Sequence, residues 1–464
     1  MNSHHDPGHH DELPDDTTAG SLPEVDDKTV NRAVAASAIG NATEWFDYGI
    51  FAVSVVYITQ NFFPGEYGTI LALSTFAFSF LVRPLGGVFW GPLGDRLGRK
   101  KILALTIMLM AGATFCIGLL PTTDTIGIWA PVLLILLRVV QGFSAGGEYG
   151  GAATFMAEYA PDRRRGFLGS FLEFGTLAGF ALGSLIVLLG EVILGNDAMS
   201  EWGWRIPFLI AGPLGGIGLY LRTKLAESPI FEELEQSGKS EKSVWHELKD
   251  LVTEYWRPML VMAGLVIALN VVNYTLLSYM PTYLETQTGL SNQTVLTIMF
   301  IGQFAMMLVI PFAGALSDRV GRKPMWYGSL IGLFVLAVPM YMLMSNGFWW
   351  ALLGFAVLGL LYIPQLATIS ATFPAMFPTH VRFAGFAITY NISTALFGGT
   401  APLVNDAVIT ATGNTLVPAF YMMIACVIGL ISVKFMKETF GASLRGTDIP
   451  ETKPQDIVRA RSGS

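Results

Sequence analysis

Six ionisable side chains fall well inside long apolar stretches, where charge is costly. Glu44 and Asp47 lie three positions apart and, with Gly40 and Phe51, would share one face of a helix. Two neighbouring carboxylates in a low-dielectric site cannot both ionise cheaply, so one of them could carry an exchangeable proton. The other four charges are Arg83, Arg138, Glu148 and Glu173. Because an ionised group at the centre of a membrane helix costs roughly 2.5–3.5 kcal/mol, all six are expected to face a cavity or a partner.

The buried charges favour a cationic or zwitterionic solute carried together with protons, because four are acids and two are bases. Asp47 and Glu173 would attract an ammonium group, Arg138 would pair with a carboxylate, and aromatic faces bind quaternary ammonium groups where water is excluded. The predicted substrate site comprises Trp45, Asp47, Arg138, Glu173, Tyr274, Tyr390 and Asn391. Proton exchange is assigned to Glu44, Asp47 or Glu148, because no histidine lies deep within an apolar stretch. For each charge a structural ion pair is the alternative, and for each aromatic residue it is packing.

Apolar stretches of membrane-spanning length dominate the chain. The sequence is 52% apolar and only 14% charged, whereas soluble domains carry roughly a quarter charged residues. About twelve stretches can cross a hydrocarbon layer of ~30 Å. The prediction is an all-α membrane protein of the major facilitator type, with an acidic, His-rich disordered tail (1–32), a six-helix bundle (33–222), a connection (223–256), a second six-helix bundle (257–436) and a tail (437–464).

Two near-identical basic turns, 94–101 and 317–324, lie 223 positions apart, each between two apolar stretches. A second pair, 159–165 and 376–382, matches at an offset of 217. Matched motifs at a constant spacing indicate two parallel repeats. The charged residues of these turns are expected to latch the helix ends in one transport state. The predicted gating or structural residues are Arg83, Asp95, Arg96, Arg99, Glu158, Arg165, Asp318, Arg319 and Arg322.

The loop charges predict the orientation. Lysine and arginine occupy alternate loops on the side of both termini, and the opposite loops contain none. The positive-inside rule then places both termini and the central connection in the cytoplasm of a multi-pass protein of the plasma membrane. The polar N-terminus predicts no cleavable signal peptide. Its His4, His5, His9 and His10 are interpreted as part of a solvated tail, with metal capture as the alternative.

Other classes of protein find little support. The sequence shows no nucleophile–base pair, metal cluster or phosphate loop, so neither an enzyme nor a cofactor is predicted. No basic patch indicates nucleic acid, and no obligate protein partner is evident. Cys116 and Cys426 both lie in apolar stretches and are interpreted as packing residues. The expected partners are a small zwitterionic solute, protons and the lipid bilayer.

Several motifs resemble the metabolite:proton symporter family within the major facilitator superfamily. They are 40–49, 83–87, 141–150 and 202–208, and the similarity extends over residues 30 to 440. Within that family, segments 171–175, 270–284 and 374–380 look most like the proline/glycine-betaine transporters. The resemblance implies proton-coupled uptake of glycine betaine, proline or ectoine by alternating access, activated by hyperosmotic conditions. The tail after Lys437 has no heptads, so activation through a coiled coil is not expected.

Two alternatives stay open. The first is a permease of the same family for an organic acid such as oxoglutarate or shikimate, although a dicarboxylate carrier should show more uncompensated arginine or lysine in its cavity. The second is a membrane sensor that uses the cavity without flux, which would normally need an appended output domain.

Overall fold

The computed structural model describes residues 27–97, 99–146, 148–224, 251, 253–378, 381–444 and 449–453. The histidines of the N-terminal tail and most of the predicted connection lie outside these described residues. So do some side chains within helices, including those of Asp95, Arg96, Arg99 and Glu148.

Most of the described residues are helical. The N-terminal half contains α1 (Asp27–Val53), α2 (Val55–Phe62), α3 (Gly68–Leu81), α4 (Arg83–Leu97), α5 (Arg99–Leu119), α6 (Thr123–Ile126), α7 (Trp129–Ala145), α8 (Glu148–Tyr159), α9 (Arg165–Leu194), α10 (Asn196–Ala198) and α11 (Arg205–Lys224). The C-terminal half contains α12 (Trp256–Asn273), α13 (Met280–Thr286), α14 (Asn292–Val320), α15 (Arg322–Met344), α16 (Phe348–Ala367), α17 (Ile369–Thr372), α18 (Arg382–Ser393), α19 (Ala401–Thr412) and α20 (Val417–Phe435). Short π-helical turns occupy Met199–Gly203, Tyr274–Tyr279 and Thr394–Gly398.

These helices form twelve spans. Spans 1 to 6 are α1 with α2, α3 with α4, α5, α7 with α8, α9 and α11, and spans 7 to 12 are α12 with α13, α14, α15, α16 with α17, α18 with α19, and α20. Among the described residues, eight helices are long and apolar enough to be recognised as membrane spans by composition alone. Span 1 is less apolar because it carries Glu44 and Asp47, and both are buried inside the protein.

The predicted repeat is visible in the backbone contacts of two matched arginines. Arg165 donates from Nε to the carbonyl of Ala157 at 3.2 Å, and Arg382 donates from Nε to the carbonyl of Pro374 at 3.1 Å. Each bond reaches back eight positions from the start of a span to the end of the preceding one. The same turn is therefore built twice, as parallel repeats require.

Glycines let spans 2 and 4 approach each other backbone to backbone. A Cβ on Gly142 would lie 1.7 Å from the carbonyl oxygen of Ser79, and one on Gly146 would lie 2.1 Å from that of Arg83. A Cβ on Gly86 would lie 1.9 Å from the carbonyl oxygen of Phe143. Such close contact is typical of helix pairs in membranes. The hydrophobic effect does not drive helices together in lipid, so they associate through the van der Waals packing that small residues allow. The glycines of two recognised motifs thus hold Arg83 in place against span 4.

Several spans are interrupted within their length. Span 1 breaks at Ser54, span 2 at Val82 and span 4 after Ala145, while spans 7 and 11 contain π-helical turns. Non-helical backbone inside a membrane persists where another segment satisfies its polar groups. The amide of Asn391 in span 11 does this for span 4, donating to the carbonyl of Gly146 at 3.0 Å.

The two halves are in contact on both sides of the membrane. Spans 5 and 8 pack along their length, with the Ser184 hydroxyl and the Gln303 amide hydrogen-bonded at 2.9 Å. Toward one side, Asn292 donates to the Glu191 carboxylate at 2.8 Å. Toward the side of the basic turns, the backbone of Gly166 donates to Asp318 at 2.8 Å. In this conformation the two halves therefore touch on both sides of the protein.

Because spans 2 and 4 are so close, a larger side chain at their contact is predicted to destabilise the protein. Gly142→Ala should lower the melting temperature in detergent, because its methyl group would overlap a backbone oxygen and overpacking costs about 1–3 kcal/mol. Gly112→Ala is the matched control, since a Cβ there has nothing within 4 Å. Alanine is also the better helix former, so that control should be neutral or slightly stabilising. Equal melting temperatures for the two variants would contradict this packing.

Candidate functional site

An aromatic cluster joins the two halves at the level of the buried charges. The Trp45 ring of span 1 lies 6.3 Å from the ring of Tyr274 in span 7. Phe80 of span 2 lies 5.1 Å from both Tyr274 and Tyr48. We call Trp45, Tyr48, Phe80 and Tyr274 the central cluster. It brings the predicted Trp45 and Tyr274 together from opposite halves.

The polar ends of the central cluster are not satisfied within the described part of the protein. The indole nitrogen of Trp45 and the hydroxyl of Tyr274 have no hydrogen-bond partner there, although both residues are buried. A buried polar group without a partner costs about 1–3 kcal/mol. Two such groups in one cluster suit a site whose ligand supplies the missing hydrogen bonds.

Arg83 lies at this cluster and away from the basic turns. Its guanidinium carbon is 4.3 Å from the centre of the Phe80 ring and 4.8 Å from that of Tyr48. Its Nη2 atom is 4.0 Å from the Glu44 carboxylate, a loose ion pair between two side chains that are 2% and 3% exposed. Nε of Arg83 has no hydrogen-bond partner among the described residues. A residue predicted to gate or to hold helices together is thus placed where it can meet a bound carboxylate.

Asp47 is the end of a hydrogen-bonded chain inside the N-terminal half. Thr114 of span 3 donates to the Asp47 carboxylate at 2.9 Å, and the Gln141 amide donates to Thr114 at 3.0 Å. Arg138 completes the chain by donating to the Gln141 carbonyl at 2.6 Å. Arg138 is fully buried over the ring of Phe51, with its guanidinium carbon 3.9 Å from the ring centre. The chain connects the predicted Asp47 and Arg138 through two neutral groups.

Glu44 and Asp47 share a small cavity, as their spacing on one helix face predicts. The cavity has a volume of about 10 Å³ and is bounded by spans 1, 3 and 6, including Met110 and Gly215. That is close to the space one water molecule needs. A proton could therefore pass between the two carboxylates through a single water.

Glu173 belongs to a different part of the interface. Its carboxylate accepts a hydrogen bond from the Tyr149 hydroxyl, and the Tyr149 ring stacks on Tyr390 of the other half at 4.6 Å. Asp47 accepts a hydrogen bond from Thr114 and shares its cavity with Glu44, and none of its described contacts is with Glu173. The structure thus brings Glu173 and Tyr390 together but does not bring Asp47 to Glu173, as a shared ammonium site would need.

Asn391 contacts backbone and not the other predicted substrate residues. Its bond to Gly146 lies where span 4 is interrupted. The side chain of Glu148, predicted to exchange protons, lies outside the described residues, so its place in the site stays a prediction.

The described residues on the side of the basic turns contain contacts between the two halves. Asp318 of span 8 accepts bonds from the backbone of Gly166 and Phe167 at 2.8 and 2.7 Å, which caps the N-terminus of span 5. Asp318 also pairs with Arg322 at 2.7 Å. Arg319, by contrast, is exposed. A carboxylate at a helix N-terminus is favoured by the backbone dipoles, so this bond stabilises the closed face.

Glu158 is the second link across this face. It pairs with Arg382 of the other half at 3.2 Å. Arg382 was not among the predicted gating residues, although its position opposite Arg165 in the repeat was a usable signal.

The C-terminal segment lies across the same face. Arg165 donates to the carbonyl of Ala442 at 2.9 Å, and Arg382 donates to that of Leu444 at 2.6 Å. Glu438 accepts bonds from the backbone at the start of span 9, both at 2.9 Å. The matched arginines of the two halves therefore both bind the backbone of the C-terminal segment, which forms part of the closed face.

Some functional candidates were missed by sequence reasoning. Thr114 and Tyr149 are neutral and gave no charge signal, although Tyr149 lies inside a recognised motif. Asp406 of span 11 is 6% exposed and accepts a bond from Tyr279 at 3.2 Å. Buried acidic residues are therefore present in both halves of the protein.

This architecture of two helix bundles around a polar centre is that of a secondary transporter. Residues 37–402 match the Major Facilitator Superfamily, and the chain belongs to that family. The fold agrees with the proton:xylose symporter XylE bound to 6-bromo-6-deoxy-D-glucose, with a TM-score of 0.70 at 19% identity, covering 89% of this chain and 97% of that one.

Much closer similarity is found among curated transporters. The chain is 44% identical to the glycine betaine/proline/ectoine/pipecolic acid transporter OusA of Dickeya dadantii, over 92% of this chain and 88% of that protein. It is 44% identical to the proline/betaine transporter of Escherichia coli K12, over 92% and 89% of the two chains. It is 42% identical to the ectoine/proline transporter ProP of Corynebacterium glutamicum, over 93% and 89%. The resemblance inferred from the motifs is confirmed.

The contacts between the halves on the side of the basic turns predict a shift in conformation when they are broken. Arg382→Ala should open the face of the basic turns, because removing one partner of a buried ion pair costs about 3–5 kcal/mol. Spin labels at positions 163 and 320, in a chain whose two cysteines are replaced by serine, report the separation of the halves. The Arg382→Ala variant should show a longer distance population.

Arg319→Ala is the control for this measurement, because that side chain is exposed. It should leave the distance distribution unchanged. An unchanged distribution in Arg382→Ala as well would mean that the Glu158–Arg382 pair does not hold the face closed.

Proposed function

We propose that the protein is a proton-coupled symporter that imports zwitterionic compatible solutes such as glycine betaine, proline and ectoine by alternating access. In this proposal it resides in the plasma membrane with both termini in the cytoplasm and is activated by high osmolality. The names of the relatives support the solute class. The observation that carries the proposal is the central cluster, in which aromatic faces from both halves meet beside a buried arginine and buried acids.

The central cluster provides both ends of a zwitterion with partners. The faces of Trp45 and Tyr274 suit an ammonium group with its methyl substituents, because a ring quadrupole attracts a desolvated cation. Arg83 suits the carboxylate, since its Nε atom is unpartnered and its ion pair with Glu44 is a long one. We assign this role to Arg83 in preference to Arg138, because Arg83 lies over the rings of Phe80 and Tyr48 in the central cluster, whereas Arg138 lies over Phe51.

Proton coupling is assigned to Glu44 and Asp47. Both carboxylates line the same water-sized cavity, and Glu44 also reaches Arg83. A solute carboxylate that binds Arg83 would weaken the Arg83–Glu44 pair. Glu44 would then be a better proton acceptor, and Asp47 could deliver the proton through the shared cavity. Solute binding and protonation would in this way favour each other.

The proposal is tested by uptake into proteoliposomes with an imposed pH gradient. Labelled glycine betaine and labelled oxoglutarate are compared at two osmolalities. The proposal expects saturable uptake of glycine betaine, dependent on the gradient and faster at high osmolality. Saturable uptake of oxoglutarate alone would favour the organic-acid permease and overturn the proposal.

The proton role of Asp47 makes a separable prediction. Asp47→Asn should abolish accumulation driven by the pH gradient while solute exchange down its own gradient persists, because the amide keeps the hydrogen bond to Thr114 but cannot take up a proton. Asp124→Asn, an exposed acid at a loop, is the control and should behave as the unaltered protein. If Asp47→Asn still concentrates solute, the coupled proton is carried elsewhere.

The rings of the central cluster predict that substitutions of Tyr274 change the KM to different extents. A desolvated cation–π contact is worth about 2 kcal/mol, so Tyr274→Leu should raise the KM for glycine betaine by roughly 10- to 30-fold. Tyr274→Phe keeps the ring and should change the KM by only a few-fold. Labelled counterflow measures both. Equal KM values for Tyr274→Leu and Tyr274→Phe would exclude the ring face as a solute contact.

A further inference from the structure

A second and larger cavity, which we call the outer cavity, lies between the two halves on the side away from the basic turns. Its volume is about 210 Å³, more than ten times what one water molecule needs. Val56, Thr59 and Gln60 of span 1 form one wall, and Thr282 and Glu285 of span 7 form another, with Asn292 at the start of span 8. The cavity therefore lies between spans 1 and 7, which are two of the three spans that form the central cluster.

The outer cavity is negative. The Glu285 carboxylate faces it and has no ion pair or hydrogen bond within the described part of the chain. The nearby Glu191 adds further negative charge, and it is held by Asn292 and by the hydroxyl of Tyr57. Among the described lining residues none is basic. A cation in this cavity would be the counter-charge of Glu285 and would favour its ionised form.

A second observation points to a ligand independently of the charge. Thr282 is only 4% exposed and lines the cavity, yet its hydroxyl has no hydrogen-bond partner among the described residues. Thr59, a half-buried residue on the facing wall, also has a hydroxyl without a hydrogen-bond partner among the described residues. Buried hydroxyls are normally paired, so two unpaired ones on opposite walls of one cavity are suited to a polar molecule between them.

The position of the outer cavity relates it to the central cluster. Thr282 follows Tyr274 by eight positions on span 7, or about 12 Å along a helix. On span 1, Val56 likewise follows Trp45 toward the same side. A solute that leaves the outer cavity inward along these two spans arrives at the rings of Trp45 and Tyr274.

We propose that the outer cavity is a second binding site, which holds the ammonium group of a zwitterionic solute before it reaches the central cluster. Glu285 provides the counter-charge, the hydroxyls of Thr59 and Thr282 bind the polar remainder, and Val56 packs against its methyl groups. That the solute is the transported one rests on the proposed function. The existence of a site for small organic cations does not.

The kinetic test compares two glutamates on the same side of the membrane. Glu285→Gln removes the charge at constant size and should raise the KM for glycine betaine uptake by about 3- to 10-fold while the maximal rate is retained. Glu66→Gln, at an exposed loop glutamate outside the cavity, should keep the KM within twofold. A KM for Glu285→Gln within twofold of the unaltered protein would overturn the proposed role in uptake.

The binding test does not require transport. In a chain with Cys116 and Cys426 replaced by serine, Thr282→Cys is labelled with a small thiol reagent in the presence of glycine betaine or tetramethylammonium. Both should slow labelling, also when Tyr274→Leu has weakened the central cluster. Adding Glu285→Gln should abolish the protection.

The outcomes separate the two proposals. Protection by tetramethylammonium in a protein that takes up no betaine would support the outer cation site and refute the proposed function. Normal betaine uptake without protection of Thr282→Cys by either compound would refute the outer site and leave the function standing. Protection that survives Glu285→Gln would also refute the site, because the carboxylate is its defining feature.

Discussion

The cost of charge in hydrocarbon is the constraint on which this structure depends. Glu44, Asp47, Arg83 and Glu173 are each at most 3% exposed in the middle of a membrane protein. Each acquires a partner from another helix or a cavity, because an uncompensated charge there would cost several kcal/mol. The partners are weak or neutral near the central cluster, as in the 4.0 Å contact of Glu44 with Arg83. They are strong at the closed face on the side of the basic turns, as at Asp318.

Glycine packing makes this arrangement of charges possible. Spans 2 and 4 approach until the backbone of one meets the glycines of the other, which fixes Arg83 and Gln141 relative to each other. The interruptions of spans 2 and 4 and the π-helical turns of spans 7 and 11 lie around the central region, and the interruption of span 1 at Ser54 lies at the outer cavity. A small rearrangement at these points can move the outer ends of spans while the closely packed segments stay together.

The sequence predicted the fold well and the contacts within the site only in part. Hydropathy and the duplicated turns specify the spans and the parallel repeat, because both signals are local. Buried acids were recognisable since their cost in lipid is large, but neutral partners such as Thr114 and Tyr149 carry no such cost. Which acid meets which aromatic residue depends on how each helix is rotated about its axis. That rotation follows from packing between distant segments, so the separation of Asp47 from Glu173 could not be read from spacing.

The central claim is that a solute is enclosed between the two halves by the rings of Trp45 and Tyr274. An electron cryomicroscopy map of the protein in lipid with glycine betaine tests it most directly. The account predicts density in contact with both rings, which must move apart from their present separation of 6.3 Å to admit the solute, with the carboxylate end toward Arg83. Solute density confined within one half, touching neither ring, would contradict it.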